Sequence, residues 1–507
     1  MEKRLLLAIG LSLLVLLTWS TLAPKSQLVD NTVVTPNNLI PSEPAQVKEK
    51  TISPSLPIAV EKPALLQVNR NNAAIFFDEQ HATVNKIIFK MQRDEPFPLK
   101  FGFLTDDGSL KYSKVNSALD EVSFVAQDST KKVSKDFIFS KSNYAIDLQI
   151  KIQNISSSPI AISYPLILGI LDLSSKNEQA RYQDVYLSTP EKASHFSAAK
   201  EHQVDKIKII GLRDRYFCLI VEPANDTYNS FVKKLNNSEA EIGLNSNVIT
   251  LQPGIQIGHL FHIYLGPQDL MAINQVNPNW AGIINFGTFD FISQILLQVL
   301  EFLYRIIHSW GWAIIVLSIL VYLLLYPLSL KQMRSMRGMQ AIQPKVEDLR
   351  KLYKDNPQKM NKEIMELYKL HKVNPFGGCL PLLLQMPIFF ALYQALMRSV
   401  ALRGAKFLWI KDLSEPDRLF ALPVSLPILG NEFNILPIIM AIGMFFQQKI
   451  TAASSGGASA EQQKMMLIIM PIMFGFIFYR MPAGLVLYWL INSVLMLLFQ
   501  LRMNKVK

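Results

Sequence analysis

Cysteine is almost absent from this chain, whose 507 residues include only Cys218 and Cys379. One lies in a polar middle region and the other opens an apolar segment. They are therefore too few and too differently placed for a disulfide framework or a cysteine metal site. We interpret both as packing residues.

Motifs of enzymes and of nucleotide-binding proteins are also missing. The sequence has no HExxH zinc motif, no paired aspartates in an apolar segment, no Gly-x-Ser-x-Gly elbow and no nucleotide-binding motif. Four histidines of the middle region, at positions 81, 195, 202 and 262, are scattered without metal-ligand spacing. We therefore expect no enzymatic activity, no cofactor and no metal.

Charged residues are nearly absent from the apolar segments of membrane-spanning length. A transporter or channel needs a solute or ion site at membrane depth, and many transporters have two similar halves, which this chain lacks. A transporter is therefore the weaker alternative. The net charge of +11 does not indicate DNA binding, because the basic residues concentrate in one loop between apolar segments.

Six apolar segments are long enough, or nearly so, to cross a membrane. The first, 5–22, follows Lys3 and Arg4 and is either a cleaved signal peptide or a retained anchor. Its cleavage site is poor and its length suffices for a span, so we favour an anchor with a cytoplasmic N-terminus. The others lie at about 310–328, 379–397, 435–446, 465–479 and 484–501. The segment at 435–446 is short, which leaves its outer boundary open.

The region between the first two spans has a different pattern. Residues 23–63 are rich in Pro, Ser, Val and Lys without periodicity, which is typical of a linker. Farther on, Ile146, Leu148, Ile150 and Ile152 alternate with polar residues. Such a period of two predicts strands with one buried face, so we expect an antiparallel all-β sandwich.

A helical period begins just before the second span. Apolar residues fill most of 291–308, and one narrow polar stripe contains Gln294, Gln298, Glu301, Arg305 and His308. This pattern predicts an amphipathic helix in the membrane interface. The alternative is a helix packed on the sandwich.

The loop 331–372 carries eleven Lys or Arg against five acids. Basic loops favour the cytoplasmic side, so the β region lies outside the cytoplasm and both termini inside. Apolar faces on either side of Asp355-Asn356-Pro357 predict a helical hairpin. Such a loop is usually a topology signal that contacts lipid headgroups, and docking to a ribosome or to translocation machinery is the alternative.

Polar residues within the spans share helix faces. Ser318 and Tyr322 are four residues apart, as are Tyr488 and Asn492, and Gln385 lies in another span. Polar groups at membrane depth normally face protein or water. They therefore either hold the bundle together by hydrogen bonds or line a hydrophilic groove.

Residues 374–389, NPFGGCLPLLLQMPIF, closely resemble the signature of the YidC family of membrane protein insertases. Tyr-Pro-Leu at 326–328, Leu-Tyr-Lys at 367–369 and PAGLVLYW at 482–489 add to the resemblance. Together with a long outer domain after a first anchor, typical of the Gram-negative members, it covers essentially the whole chain.

The resemblance implies a bacterial inner-membrane protein with six transmembrane helices, five of them forming a core around a hydrophilic groove. It also implies insertion of nascent inner-membrane proteins without nucleotide hydrolysis. Partners would be the Sec translocon, membrane lipids and the ribosome, the last held weakly by the short basic tail. An assembly scaffold for the translocon is compatible with the same features.

The family's groove positions coincide with Ser318, Tyr322, Gln385, Tyr488 and Trp489, which favours the groove interpretation. Tyr322 is also a departure, because the family usually has an arginine there. Arg398 and Arg480 fall toward the outer ends of their helices. A mechanism that needs a fixed positive charge in the groove is therefore in doubt for this chain.

These inferences predict an α-helical membrane bundle of six spans plus a periplasmic β-sandwich. The expected domains are a signal-anchor helix (1–22), a flexible periplasmic linker (23–63), the β-sandwich domain (64–285), an interfacial amphipathic helix (286–309), the second transmembrane helix (310–330), the cytoplasmic basic helical hairpin (331–374), transmembrane helices three to six (375–501) and a cytoplasmic tail (502–507).

Overall fold

The structure is a computed structural model that describes residues 65–505, apart from gaps at 71, 92–93, 98, 106–108, 119, 141–143, 175–181, 225–227, 286, 372–379, 427–429 and 455–459. The predicted anchor and linker, and Cys379, lie outside the described residues.

Strands dominate the first half of the described chain. They are β1 Leu65–Asn69, β2 Ala73–Asp78, β3 Thr83–Phe89, β4 Glu95–Phe97, β5 Ser113–Ser117, β6 Glu121–Gln127, β7 Lys131–Phe139, β8 Ala145–Asn154, β9 Ile160–Ile162, β10 Pro165–Asp172, β11 Asp184–Ser188, β12 Ala193–Ser197, β13 His202–Ile207, β14 Ile209–Arg213, β15 Phe217–Pro223, β16 Tyr228–Lys234, β17 Glu239–Asn245, β18 Ile249–Leu251 and β19 Gln256–Pro267.

A nine-stranded antiparallel sheet, in the order β12-β11-β14-β15-β19-β8-β7-β6-β5, forms one layer. Two four-stranded sheets, β1-β2-β3-β4 and β10-β17-β16-β13, share one hydrophobic core with it. In that core the rings of Phe77 and Phe137 pack edge to face with centroids 5.0 Å apart. The predicted β-sandwich is thus confirmed.

Strand β8 shows how sequence produces this layer. Ile146, Leu148, Ile150 and Ile152 are buried in the shared core, whereas the residues between them are partly exposed. Because successive side chains of a strand point to opposite faces, the period of two in the sequence becomes one buried face.

Helices dominate the second half. They are α1 Leu270–Val276, α2 Asp290–Ile307, α3 Trp310–Leu352, α4 Pro357–Leu370, α5 Leu380–Arg398, α6 Leu436–Ser454, α7 Ala460–Phe478 and α8 Ala483–Lys505, with 3₁₀ turns at Pro278–Ile283 and Val400–Leu402. A hairpin of β20 Phe420–Leu426 and β21 Gly430–Phe433 precedes α6.

Two helices of the described chain are long and apolar enough to cross a bilayer, over Trp310–Lys331 and Ala483–Arg502. The apolar parts of α6 and α7, Leu436–Ile450 and Leu467–Phe478, are shorter. A span needs about 20 residues. The described helices therefore support integration into a membrane, and the full set of six spans stays a prediction.

Helix α2 has three faces. Leu296, Leu300 and Leu303 pack into the core of the bundle, where the Ser293 hydroxyl also donates to the Ala391 carbonyl of α5 at 2.9 Å. The polar stripe turns toward the end of the β domain, because Gln294, Gln298 and Glu301 line a cleft shared with 268–271 and Asn274. A third, apolar face is exposed, with Phe291, Ile295, Phe302 and Ile306. Its position in a membrane interface stays a prediction.

Beyond the membrane-length part of α3, the helix continues and packs against α4. Ile342 and Val346 of α3 form a small buried cluster with Ile364 and Tyr368 of α4. Between the two helices, the Asn356 side chain accepts a hydrogen bond from the Lys359 backbone N–H at 3.1 Å. This cap and Pro357 at the first helical position explain why α4 begins there.

A charged joint connects the β domain to the outer ends of the helices. We define the joint as Glu95 and Arg215 of the β domain with Arg403, Asp412 and Glu415 of the loop after α5. The Arg215 guanidinium donates to the carbonyl of Met397 at 2.8 Å and lies 3.6 Å from the carboxylate of Glu415.

Arg403 completes the joint from the loop side. It donates to Glu95 at 2.7 Å, forms an ion pair with Asp412 at 3.5 Å and also bonds Glu415. The guanidinium carbons of Arg215 and Arg403 lie 4.8 and 5.6 Å from the centroid of the Tyr216 ring. The joint therefore fixes the β domain on the bundle by paired charges.

Candidate functional site

Helix α3 presents opposite faces to the protein and to its surroundings. Ala313, Ile314, Leu317 and Val321 are buried in the core of the bundle. On the other side Trp312, Leu320, Leu323 and Leu324 are exposed, Leu324 to 74%. In a helix that can cross a membrane, an exposed face of this composition is suited to contact lipid.

Gln385 and Tyr488 meet inside the bundle. The Gln385 side-chain amide on α5 donates to the Tyr488 hydroxyl on α8 at 2.5 Å. Tyr488 is fully buried and Gln385 is half-buried. A buried hydroxyl needs a hydrogen-bond partner, so this pair links two helices that are far apart in sequence.

Asn492 and Trp489 lie on the same helix as Tyr488 and make different contacts. The Asn492 amide donates to the backbone carbonyl of Tyr488 at 2.9 Å, one turn earlier. The Trp489 ring packs among aromatic rings, with centroid distances of 5.2 Å to Phe389, 5.3 Å to Phe478 and 5.7 Å to Phe474. Trp489 thus belongs to an aromatic cluster beside the polar pair.

Ser318 and Tyr322 differ although they share a face of α3. Ser318 is fully buried and its hydroxyl donates to the carbonyl of Ile314 in its own helix at 2.7 Å. The Tyr322 hydroxyl is buried too, and none of the described residues forms a hydrogen bond with it. Among the predicted groove residues, Tyr322 therefore has a hydroxyl that no described residue engages in a hydrogen bond.

The start of α8 is held by the loop of the joint. The backbone N–H groups of Ala483 and Gly484 donate to the carbonyls of Glu415 and Leu413 at 2.8 and 2.9 Å. A Cβ atom at Gly484 would lie only 3.1 Å from Ile314 and 3.2 Å from the Leu413 carbonyl. The glycine of PAGLVLYW thus permits the close approach of α8 to Ile314 and to the loop.

The structure brings together two of the six predicted site residues by a side-chain bond, Gln385 and Tyr488. Sequence reasoning missed two features. One is Gln394 of α5, whose buried side-chain oxygen has no partner among the described residues. The other is the joint, for which the density of charges at 403–418 between two apolar segments was the available signal.

The fold and the polar cluster define a class: an α-helical membrane protein with neutral polar groups inside its bundle and a large β-sandwich outside it. Two family profiles match the chain, "60Kd inner membrane protein" over residues 302–507 and "YidC periplasmic domain" over residues 90–299. The chain belongs to the YidC family, and its β domain is the periplasmic domain of that family.

The chain is similar to named proteins of two bacteria and to a solved structure. A protein of Geotalea uraniireducens named membrane protein insertase YidC is 31% identical over 100% of this chain and 99% of its own length. One of Syntrophobacter fumaroxidans with the same name is 36% identical over 74% of this chain and 68% of its own length. A solved structure described as an active YidC insertase is 19% identical, covers 87% of this chain and 93% of its own, and has a TM-score of 0.43.

Proposed function

We propose that this protein is a membrane protein insertase, which inserts nascent inner-membrane proteins and helps them fold and assemble, alone or with the Sec translocon. Membership of the YidC family and the name of its relatives support this function. The observation that carries the mechanism is the Gln385–Tyr488 pair, together with the Tyr322 hydroxyl in the same bundle, which has no partner among the described residues.

Moving peptide groups across hydrocarbon without hydrogen bonds costs several kcal/mol for each group. A groove that offers hydroxyls and amides partway across the membrane shortens the distance over which this cost applies. The polar part of a nascent segment enters the groove while its apolar part slides into lipid. Partitioning of the substrate and the membrane potential drive the step, and no nucleotide is hydrolysed.

In this proposal the groove is lined by Ser318, Tyr322, Gln385, Tyr488 and Asn492, with Trp489 at its aromatic side. Ser318 contributes in a limited way, because its hydroxyl already bonds its own helix. Five spans after an N-terminal anchor surround the groove, and both termini are cytoplasmic. The hairpin of α3 and α4 lies at the cytoplasmic opening of the groove, where it contacts the ribosome, lipid headgroups or the Sec translocon.

Reconstitution of the purified protein in liposomes tests the function directly. We expect it to insert a short single-span substrate without nucleotide and without other proteins. If the protein assembles with the translocon but never inserts a substrate alone, it acts as a scaffold and the insertase proposal fails.

A paired substitution tests the groove separately. Gln385→Leu with Tyr488→Phe removes both members of the buried hydrogen bond, so neither residue is left with a polar group that has lost the other, and stability changes little. We expect insertion to fall severalfold while thermal stability is kept. Leu498→Met on the exposed side of α8 is the matched control. Full insertion by the double variant would return the pair to a purely structural role.

A further inference from the structure

The loop after α5 contains a tight hairpin whose tip points out of the protein. The backbone N–H of Phe407 donates to the Ile410 carbonyl at 2.9 Å, and that of Ile410 donates to the Phe407 carbonyl at 2.8 Å. Only Leu408 and Trp409 lie between them. At the base, the Leu413 N–H donates to the Ala405 carbonyl at 3.0 Å, and Arg403 pairs with Asp412. We call residues 403–413 the outer hairpin.

Leu408 is an unusual residue for its position. Its φ of 52° lies in the left-handed region, and two-residue hairpins usually place glycine where the first loop residue needs a positive φ. The side chain is 73% exposed, so packing inside the described protein does not compensate the strain. An exposed leucine in a strained backbone indicates a contact outside the chain.

Trp409 shares the tip and is held in one orientation. Its indole N–H donates to the Asp417 carboxylate at 3.3 Å, and the same carboxylate accepts from the backbone N–H groups of Ile435 and Leu436 at 3.0 and 3.1 Å. The ring remains 37% exposed beside Leu408. A tryptophan with a bonded N–H and an open ring is typical of membrane interfaces.

The outer hairpin lies at the outer end of the lipid-suited face of α3. Phe407 packs edge to face on Trp312, with ring centroids 5.7 Å apart, and also covers Gly311. Trp312 is 54% exposed at the start of that face. Lys406 and Lys411 flank the tip, both are exposed, and neither forms an ion pair with a described residue.

We propose that the outer hairpin is a membrane anchor of the periplasmic leaflet. Leu408 and Trp409 enter the boundary between headgroups and acyl chains, and Lys406 and Lys411 bind the phosphates of acidic phospholipids. Continuity with the exposed apolar face of α3 and the two flanking positive charges identify lipid as the occupant. Because Arg403 at the base of the hairpin also bonds Glu95, the anchor sets the position of the β domain above the membrane.

A spin label at the tip tests the insertion. The full chain, with Cys218 and Cys379 replaced by Ala, carries the label at Leu408→Cys or, as control, at Val248→Cys of the β domain, which is 68% exposed. In phosphatidylcholine vesicles containing phosphatidylglycerol, we expect the label at 408 to be relaxed by oxygen and shielded from a polar nickel complex. The control label should behave in the opposite way. Equal water exposure at both positions would refute the anchor.

Lipid selectivity tests the lysines. Lys406→Gln with Lys411→Gln should lower the enrichment of phosphatidylglycerol around the protein by about fivefold for each lysine, the effect of one positive charge near an acidic membrane surface. The same pair of changes at Lys192 and Lys200 of the β domain is the control. Unchanged enrichment would remove phosphate binding from the proposal.

The Leu408→Gly variant separates loss of anchoring from misfolding, because glycine adopts the positive φ of this position without strain. We expect this variant to keep its thermal stability in detergent and to lose anchoring, seen as greater mobility of a label at position 248 in the bilayer. A label as immobile as in the parent protein would contradict the role of the anchor in positioning the β domain.

Discussion

Two polar clusters lie on the helical bundle, and they are built differently. In the joint outside the membrane, the charges of Arg215 and Arg403 face the carboxylates of Glu95, Asp412 and Glu415. Inside the bundle the cluster is neutral: the Gln385 amide donates to the Tyr488 hydroxyl, and the buried Tyr322 hydroxyl has no partner among the described residues.

The difference follows from the surroundings. Outside the membrane a charge can be desolvated if counter-charges and hydrogen bonds surround it. At the centre of a bilayer a single charge costs about 3 kcal/mol on insertion scales, so neutral amides and hydroxyls are the cheaper polar groups. A cluster whose charges are all paired holds one geometry. A neutral cluster with an unused hydrogen-bonding group is suited to bind a nascent chain.

The largest effect is expected at the joint. Arg403→Ala leaves three nearby carboxylates without this cation, and losing one member of a buried ion pair costs about 3–5 kcal/mol. Thermal unfolding in detergent should show a clear fall in Tm. Lys100→Ala is the control, because the Lys100 side chain is 53% exposed and its pair with Glu239 contributes about 0–1 kcal/mol. Equal losses in both variants would contradict this account of the joint.

A smaller loss of stability is expected from removing one member of the Gln385–Tyr488 pair. Gln385→Leu leaves the buried hydroxyl of Tyr488 without its donor, which costs about 1–3 kcal/mol. Adding Tyr488→Phe should restore most of the lost stability. Thermal unfolding of both single variants and the double variant gives the coupling energy. Purely additive losses would show that the hydrogen bond does not couple the two helices.

Substitutions of Tyr322 distinguish a water-filled groove from a dry, packed interface between helices. If the groove contains water, the Tyr322→Arg variant should express and fold normally. Leu324→Arg, on the exposed face of the same helix, should raise the free energy of membrane insertion by about 3 kcal/mol. Tyr322→Phe should change stability by less than about 0.5 kcal/mol. A stalled substrate should crosslink to position 322. Loss of stability in Tyr322→Arg without any crosslink would assign this residue to packing.

The smallest effect concerns Glu301, in the cleft between α2 and the β domain. Burial and the nearby carboxylate of Asp269 raise the pKa of Glu301 to about 7, against the opposing charge of Arg305. The pKa of Glu301 in the folded protein exceeds the ordinary value of 4.5, so the folded state holds this proton more tightly than the unfolded state. The contribution of Glu301 to stability is therefore fully present below pH 4.5 and is lost as the pH rises through 7. The Tm should fall between about pH 5 and about pH 8. In Glu301→Gln this fall should be weaker; an identical slope would exclude Glu301 as its source.

Much of the fold could be predicted from local patterns in the sequence. The alternation at 146–152 became a strand with one buried face in the predicted sandwich. The polar stripe at 294–308 became one face of α2, and the Asp-Asn-Pro break lies between α3 and α4. Each of these features depends on neighbours a few residues away, which the sequence contains explicitly.

The candidate site was only partly accessible to the same reasoning. Helical spacing placed Tyr488 and Asn492 on one face, but it could not tell that Gln385, 103 residues away, donates to Tyr488. It also grouped Ser318 with Tyr322, although one hydroxyl bonds its own helix and the other is without a described partner. Which polar groups meet depends on how helices pack, and a periodic pattern does not contain that information.

The sequence by itself determined the membrane class, the family, the strand period of the outer domain and the positions of the polar residues along each helix, because these follow from local polarity and from motifs. The tertiary structure alone decided the partners. It paired Arg403 with Glu95 across 308 residues, turned the polar stripe of α2 toward the β domain and exposed Leu408 at the tip of a strained turn. Pairings of this kind arise from long-range packing, in which each contact depends on the placement of whole elements.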